Sequence, residues 1–269
     1  MHLNGRTAVV TGAASGIGRA VAVSLARRGC DLALADLNEA GLAETATLVR
    51  TYGVRVSTHR LDVADRDAVS ALPAAVTAEH TGVDVLVNNA GVALGGTFED
   101  VEEADFEWLF GVNFWGVVRM TRAFLPLLRA SDDARLVNVS SIYGIIAPAG
   151  QTAYAASKFA VRGFSMALRH ELEGSNVGVT VVHPGGVATA IADGARVPKA
   201  TPADEAARGR ARANRLLTLP PEVAGETIVR GIERRKARVL VGSDAKAAAV
   251  IERLVPVNYW ALIRRRMGR

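Results

Sequence analysis

Seven short aliphatic runs alternate with helical stretches along this 269-residue chain, and that alternation restricts its fold more than any other feature. Residues 6–11, 31–36, 53–59, 83–87, 135–140, 177–183 and 237–242 are the runs that read as strands. Stretches 16–28, 39–51, 65–80, 102–129, 152–173 and 221–235 read as helices between them, and another starts near Ala245. Strands that each return through a helix predict an α/β fold, a doubly wound parallel sheet with helices on both faces and ligands at the strands' carboxyl ends. Hydrophobic residues make up 49% of the chain and aromatics only 5%, so the interior is aliphatic, as βα layers prefer. No linker or repeat divides the chain, and residues 1–269 are read as one domain.

The first strand ends at Thr11, and Gly12-Ala13-Ala14-Ser15-Gly16-Ile17-Gly18 leads from it into the first helix. Glycines there let the backbone turn tightly and approach a ligand, while the N–H groups of the helix start favour a pyrophosphate. A plain turn is the alternative; the strand before and the helix after favour the phosphate site. The second strand ends at Asp36, where a carboxylate accepts hydrogen bonds from ribose hydroxyls and repels a 2′-phosphate. Leu37 and Asn38 bring no positive charge and Ser15 is neutral, so NAD is favoured over NADP. The other use for Asp36 is a helix N-cap.

Asp62, next to Val63, lies just past the third strand, within reach of an adenine edge. The fourth strand runs into Asn88-Asn89-Ala90-Gly91, where small and amide side chains leave room for a cofactor ribose. Asn113 stands among Phe106, Trp108, Phe110, Phe114 and Trp115. A buried amide there needs partners, so it is either a structural hydrogen-bonder or one member of a polar chain reaching the site. Pro184-Gly185-Gly186-Val187-Ala188-Thr189, beyond the sixth strand, is a tight loop that can bring backbone donors and Thr189 to a ligand's amide.

Tyr154 and Lys158 are four residues apart in a helical stretch and therefore share a face. A phenol of pKa about 10 is a poor base at neutral pH, and a neighbouring ammonium favours its ionised form. Ser141 closes the strand at 135–140, and a hydroxyl there can hold a carbonyl oxygen beside the phenol. A Tyr and a Lys at this spacing are often only surface residues, so the other motifs carry the weight.

Taken together, Thr11-Gly12-x-x-x-Gly16-x-Gly18, Asn88-Asn89-Ala90-Gly91, Asn113, Ser141, Tyr154-x-x-x-Lys158 and Pro184-Gly185 resemble the short-chain dehydrogenase/reductase family, over roughly residues 5–242. The resemblance implies a Rossmann-type sheet of about seven strands and a bound nicotinamide dinucleotide. Tyr154 would be the acid/base, Lys158 would lower its pKa and hold the nicotinamide ribose, and Ser141 would polarise the substrate oxygen. Asn113 would anchor a water chain relaying protons through Lys158. Expected cofactor contacts are Gly12, Ser15, Gly16, Ile17, Gly18, Asp36, Leu37, Asp62, Val63, Asn89, Ala90, Gly91, Tyr154, Lys158, Pro184, Gly185, Val187 and Thr189. Expected substrate contacts are Ser141, Tyr143, Ile145, Tyr154 and Gly186; no metal site is expected. The implied activity interconverts a secondary alcohol and a ketone. A dinucleotide-binding sensor or scaffold with vestigial chemistry is the competing reading, and the intact Asn–Ser–Tyr–Lys set speaks against it. An epimerase or dehydratase is disfavoured by the glycine spacing and the short substrate region.

Ile142, Ile145, Ile146, Pro148, Val187 and Ala188 flank the motifs and suggest an apolar pocket, hence an apolar alcohol or ketone substrate. Residues 190–215 break the alternation and read as a mobile lid, in which Arg208, Arg210, Arg212 and Arg215 can fold inward. The tail from about 245 to 269 reads as a basic helix continuing through Pro256 to Arg264-Arg265-Arg266. Peripheral membrane contact through it is less favoured than packing on the body or on another subunit. The net charge of +5 lies largely in this C-terminal third, and no binding motif accompanies it, so a nucleic-acid partner is not expected. One cysteine, Cys30, excludes an internal disulfide and suits a reducing compartment. With no signal segment and no apolar run near 18 residues, a cytoplasmic protein is the expectation. Family resemblance implies a homo-oligomer, a dimer or homotetramer, packed through helices 102–129 and 152–173.

Overall fold

The computed structural model describes residues 1–262. Seven strands, β1 (Thr7–Thr11), β2 (Asp31–Asp36), β3 (Val56–Arg60), β4 (Val85–Asn88), β5 (Ala134–Val139), β6 (Val177–Pro184) and β7 (Arg238–Val241), form one sheet. Its order is β3-β2-β1-β4-β5-β6-β7 and every pairing is parallel. The third strand starts later than the sequence suggests, because Gly53, at φ +75°, still belongs to the preceding turn.

Alternate side chains along the strands enter two separate cores. Ala8, Val10, Leu32, Leu34, Val85 and Val87 pack with helices α1 (Gly16–Ala26), α2 (Glu39–Arg50) and α8 (Pro221–Glu233). Val9, Ala33, Ala35, Leu86 and Leu136 face α3 (Arg66–Thr77), α5 (Gly116–Ala130) and α6 (Thr152–Glu171). Burial on both faces explains why the strand segments read as continuous apolar runs rather than alternating ones. The strand order reverses between β1 and β4, and a doubly wound sheet opens its crevice at the carboxyl ends there.

The stretch read as one helix at 102–129 is α4 (Glu103–Phe110), a π turn at Gly111–Trp115, and then α5. Residues 190–215 are more regular than their composition suggests. Arg196 pairs with Leu94 in an isolated parallel bridge, and α7 occupies Ala203–Asn214. That helix escapes a periodicity search because only Ala206 on it is buried. Arg208 pairs with Asp204 one turn away on α7, and Arg208, Arg212 and Arg215 are exposed and do not turn into the body, whereas Arg210 is half-buried. The last long helix, α9 (Ser243–Leu254), stops before Pro256, which cannot continue it, and residues 259–262 form a further helical turn. Arg264, Arg265 and Arg266 lie outside the described residues. No helix among the described residues is long and apolar enough to cross a membrane.

Candidate active site

Tyr154 and Lys158 face inward from the first turns of α6, each less than a tenth exposed. The Lys158 ammonium stands 5.7 Å from the centre of the Tyr154 ring and donates to the carbonyl of Val139, at the end of β5, at 3.3 Å. Ser141 follows that strand and caps the 3-10 turn Ile142–Gly144, its Oγ accepting from Tyr143 N at 3.1 Å. The Tyr143 ring meets the Tyr154 ring edge-on, with centroids 6.1 Å apart. Residues from three elements thus converge at the carboxyl end of β5.

The electrostatics differ from the expectation of an acidified phenol. Burial pushes the Tyr154 phenol up to about 12, and the Ser141 hydroxyl draws it back only in part. Burial also pulls the Lys158 ammonium down to about 8. Burial disfavours the charged form of each group, and it is the largest influence on both.

Asn113 is fully buried on the π turn. Its Oδ1 accepts from Val92 N at 2.8 Å, while Nδ2 donates to Val92 O at 3.0 Å and to Ser157 Oγ at 3.2 Å. The amide therefore ties the segment after β4 to α6, and the extra residue of a π turn swings it to that side. A Cβ on Gly91 would sit 3.2 Å from Asn113 Oδ1 and 3.3 Å from the Lys158 ammonium, so the glycine leaves a cradle open beside the lysine.

The glycine loop lies across the crevice. Gly12 (φ +66°) and Gly16 (φ +52°) take a backbone conformation that other residues resist. A Cβ on Gly12 would meet Asn89 Nδ2 at 2.7 Å, and one on Gly18 would run into the Gly12 carbonyl. Ser15, the N-cap of α1, makes no side-chain cap, and no acidic residue stands in the first turn. These features fit a pyrophosphate at the helix start. Asp36 accepts from Ala14 N and Asn38 N, each at 3.0 Å, which sets its carboxylate against the loop. It is not the cap of α2; Asn38 is, accepting from Gly41 N. Leu37 is exposed beside it. Asp62 is turned onto Ala64 N at 2.8 Å, and Val63 packs under Gly116.

The two adjacent asparagines divide. Asn89 donates from Nδ2 to Thr11 O and Gly12 O, locking the loop, and Ala90 N donates to Thr11 Oγ1. Asn88 points the other way, into the core, where it donates to Thr121 and Asn138. Thr189 reaches the loop as well, for a Cβ on Gly16 would meet its Cγ2 at 2.9 Å. Two expected pocket residues sit elsewhere: Ile145 and Ile146 are buried against Ala248 of α9, because the 3-10 turn directs them away from the crevice. Val187 is likewise a core side chain.

Ser157, which no motif in the sequence marks, joins Asn113 to the Tyr154 carbonyl through its hydroxyl. Nor does a motif assign a role to His183, fully buried at the end of β6, with Nδ1 2.9 Å from the Ser141 carbonyl. Burial lowers this imidazole to about 4, so it is neutral and donates from Nδ1. A histidine directly before Pro-Gly on an apolar strand was the available signal.

A model of the short chain dehydrogenase family matches residues 6–199. The chain belongs to the short-chain dehydrogenase/reductase family. It is an oxidoreductase of that family. It is 46% identical over 261 residues to SadH of Mycobacterium tuberculosis, covering 96% of this chain and 94% of SadH. The structure of a short-chain dehydrogenase/reductase from Burkholderia phymatum in complex with NAD superposes with a TM-score of 0.88 at 32% identity, over 94% of this chain and 95% of that one. An alcohol dehydrogenase of the same fold from Thermococcus sibiricus, complexed with 5-hydroxy-NADP, gives a TM-score of 0.74 at 27% identity, over 88% and 94% of the two chains. Members of the family thus bind NAD or NADP, and the glycine loop here is built like a dinucleotide cradle.

Proposed function

We propose that this protein interconverts a secondary alcohol and a ketone on a largely apolar substrate, with NAD as its preferred cofactor. The observation that carries the reading is the buried Tyr154–Lys158 pair beside Ser141, with Gly91 leaving space next to the ammonium. The nicotinamide supplies the hydride acceptor or donor when bound. Gly12, Ser15, Gly16, Ile17 and Gly18 would hold its pyrophosphate, Asp36 the adenosine ribose, and Lys158 the nicotinamide ribose. Thr189 and the backbone of Pro184, Gly185 and Val187 would meet the carboxamide. The Asp36 carboxylate and the absence of a basic side chain at Leu37 and Asn38 disfavour a 2′-phosphate. Arg19, the cation nearest the loop, is engaged by Glu44 at 2.7 Å and by Ala14 O.

In the oxidation direction the Tyr154 oxygen takes the substrate's hydroxyl proton while Ser141 holds the oxygen in place; in reduction it returns the proton. An anionic phenolate costs much in a dry site, so the charge of Lys158 and that of the oxidised cofactor are what bring it within reach. Tyr143 and Gly186 would border the substrate. Trp115, Phe159 and Met166, exposed on the α4–α5 and α6 side, support a homo-oligomer packed through those helices. The single buried thiol, Cys30, suits a cytoplasmic setting.

The test is NADH formation, followed by absorbance, against a panel of apolar secondary alcohols. Tyr154→Phe is expected to lower turnover at least ~10²-fold, the scale of acid–base assistance, with NAD binding retained and tighter than NADP. A variant that kept a tenth of the wild-type rate would remove Tyr154 from the chemistry.

A further inference from the structure

Helix α9 meets the turn that would grip the nicotinamide end of the cofactor through the Asp244 carboxylate. Asp244, in its first turn, accepts a hydrogen bond from Gly186 N at 2.7 Å through Oδ2, and one from Ala245 N at 2.8 Å through Oδ1. Two glycines make room for that carboxylate. A Cβ on Gly185 would coincide with both Asp244 oxygens, and one on Gly242 would meet Oδ1. The carbonyl of Gly186 is fixed from the other side, accepting from Thr218 N and Leu219 N, each at 2.9 Å. Ala188 N, two residues on, donates to Leu219 O at 2.8 Å, and the next residue, Thr189, lies against Gly16 of the glycine loop. A second clasp ties the same C-terminal stretch, residues 244–259, to a different part of the body: Tyr259 Oη accepts from Ala147 N at 2.9 Å, on the loop that follows Ser141. Between the clasps, Ala245 and Ala248 are buried, the latter against Ile145 and Ile146.

We infer that Asp244 is a positioning residue, its carboxylate fixing the Gly185–Gly186 turn so that residues 187–189 are held ready over the nicotinamide half of the site. The inference rests on the dinucleotide reading given above and adds the element that orders one end of that site. The carboxylate acts through the Gly186 amide. An anionic acceptor on a backbone N–H makes a shorter and stronger bond than a neutral one, so its removal leaves Gly186 N without its partner and loosens a turn then held only by Gly185 N on Val241 O and by the bonds to the Gly186 carbonyl. Loosening that turn transfers the cost of ordering it to the binding of the cofactor. The charge also reaches the reacting side, where it adds to burial in raising the Tyr143 phenol that packs on Tyr154.

Two probes separate a positioning role from a general structural one. ADP-ribose carries the adenosine and pyrophosphate but no nicotinamide ring, whereas NAD carries all three. In calorimetric titrations of the full chain, Asp244→Ala is expected to weaken NAD about 10-fold, the scale of one charge-assisted hydrogen bond, and ADP-ribose by less than about 2-fold. Asp244→Asn keeps an acceptor facing Gly186 N and is expected to recover most of the loss. Gly185→Ala drives a Cβ into the carboxylate's place and is expected to reproduce the alanine result, so the inference stays testable if Asp244→Ala does not fold. Equal weakening of both probes, or no weakening of NAD, overturns it. Wild-type protein that binds neither probe overturns the dinucleotide reading itself, and the inference with it.

Discussion

Two polar clusters are buried between the sheet and helices α5 and α6, and they have opposite characters. One is Asn113, Ser157, Tyr154 and Lys158, which carries two groups whose protonation burial disturbs strongly. The other joins Asn88 to Thr121 at 3.1 Å and to Asn138 at 2.9 Å, and Asn138 to Ser165 at 3.0 Å, with no titratable group among them. Burial and hydrogen bonding are common to both. What separates them is that the first lies against Gly91, where a side chain would crowd Asn113 and the Lys158 ammonium, while the second is tied to α5 and α6 through Thr121 and Ser165. On the proposed function the first is organised for chemistry at a cost in stability; the second pins two central strands to two helices.

The largest effect should come from Lys158→Met. The ammonium's pKa, lowered to about 8 by burial, means that the folded state disfavours the charge at pH 7 relative to the unfolded chain. An apolar side chain of similar volume should therefore raise stability in urea by about 1–3 kcal/mol while turnover falls by ~10² or more. A variant that lost both would put Lys158 in the structural class and break the distinction. Asn138→Ala is the counterpart. It strips partners from Asn88 and Ser165 and should cost about 2–3 kcal/mol in urea unfolding, with the turnover of the folded enzyme changed by less than about 3-fold.

The third effect concerns His183, whose Nδ1 lies against the Ser141 carbonyl. Its pKa is lowered to about 4, first by burial, opposed by its bond to the Ser141 carbonyl, with Arg238 and Arg162 adding to the fall. An unfolded chain binds a proton at this residue below pH about 6.5, and the folded protein does so only near 4. Its contribution to stability is therefore complete above 6.5 and is lost as pH falls toward 4, by up to about 3 kcal/mol. His183→Gln keeps a donor but cannot titrate in this range, and should flatten the slope of urea midpoint against pH between 4 and 6.5. An unchanged slope would assign the acid sensitivity to other groups.

Much of this architecture can be read in the letters. Continuous apolar runs at 31–36 and 135–140, separated by helical stretches, are what strands covered on both faces demand, and the glycines of the first turn are required by two positive-φ positions and by a close approach to Asn89. The spacing of Tyr154 and Lys158 guarantees a shared face because a helix turns once every 3.6 residues. Local rules of this kind depend only on neighbours in the chain.

Other features depend on partners far along the chain, and no local pattern reports them. Asn88 and Asn89 look alike in sequence, yet strand pleating sends one to the core and the other to the glycine loop. The π turn that aims Asn113, the retreat of Ile145 into the cluster under α9, and the contact of Asp244 with Gly186 across 58 positions were likewise decided by packing. So was the direction of the Tyr154 shift. The sequence shows an amine one turn away, but only the folded protein fixes how little water reaches the phenol, and desolvation is the largest influence on it. Sequence alone thus determined which residues could share an element and a face, since backbone geometry is local. The tertiary structure decided which of them are dry, paired or open to a ligand, because those properties belong to the whole packed chain.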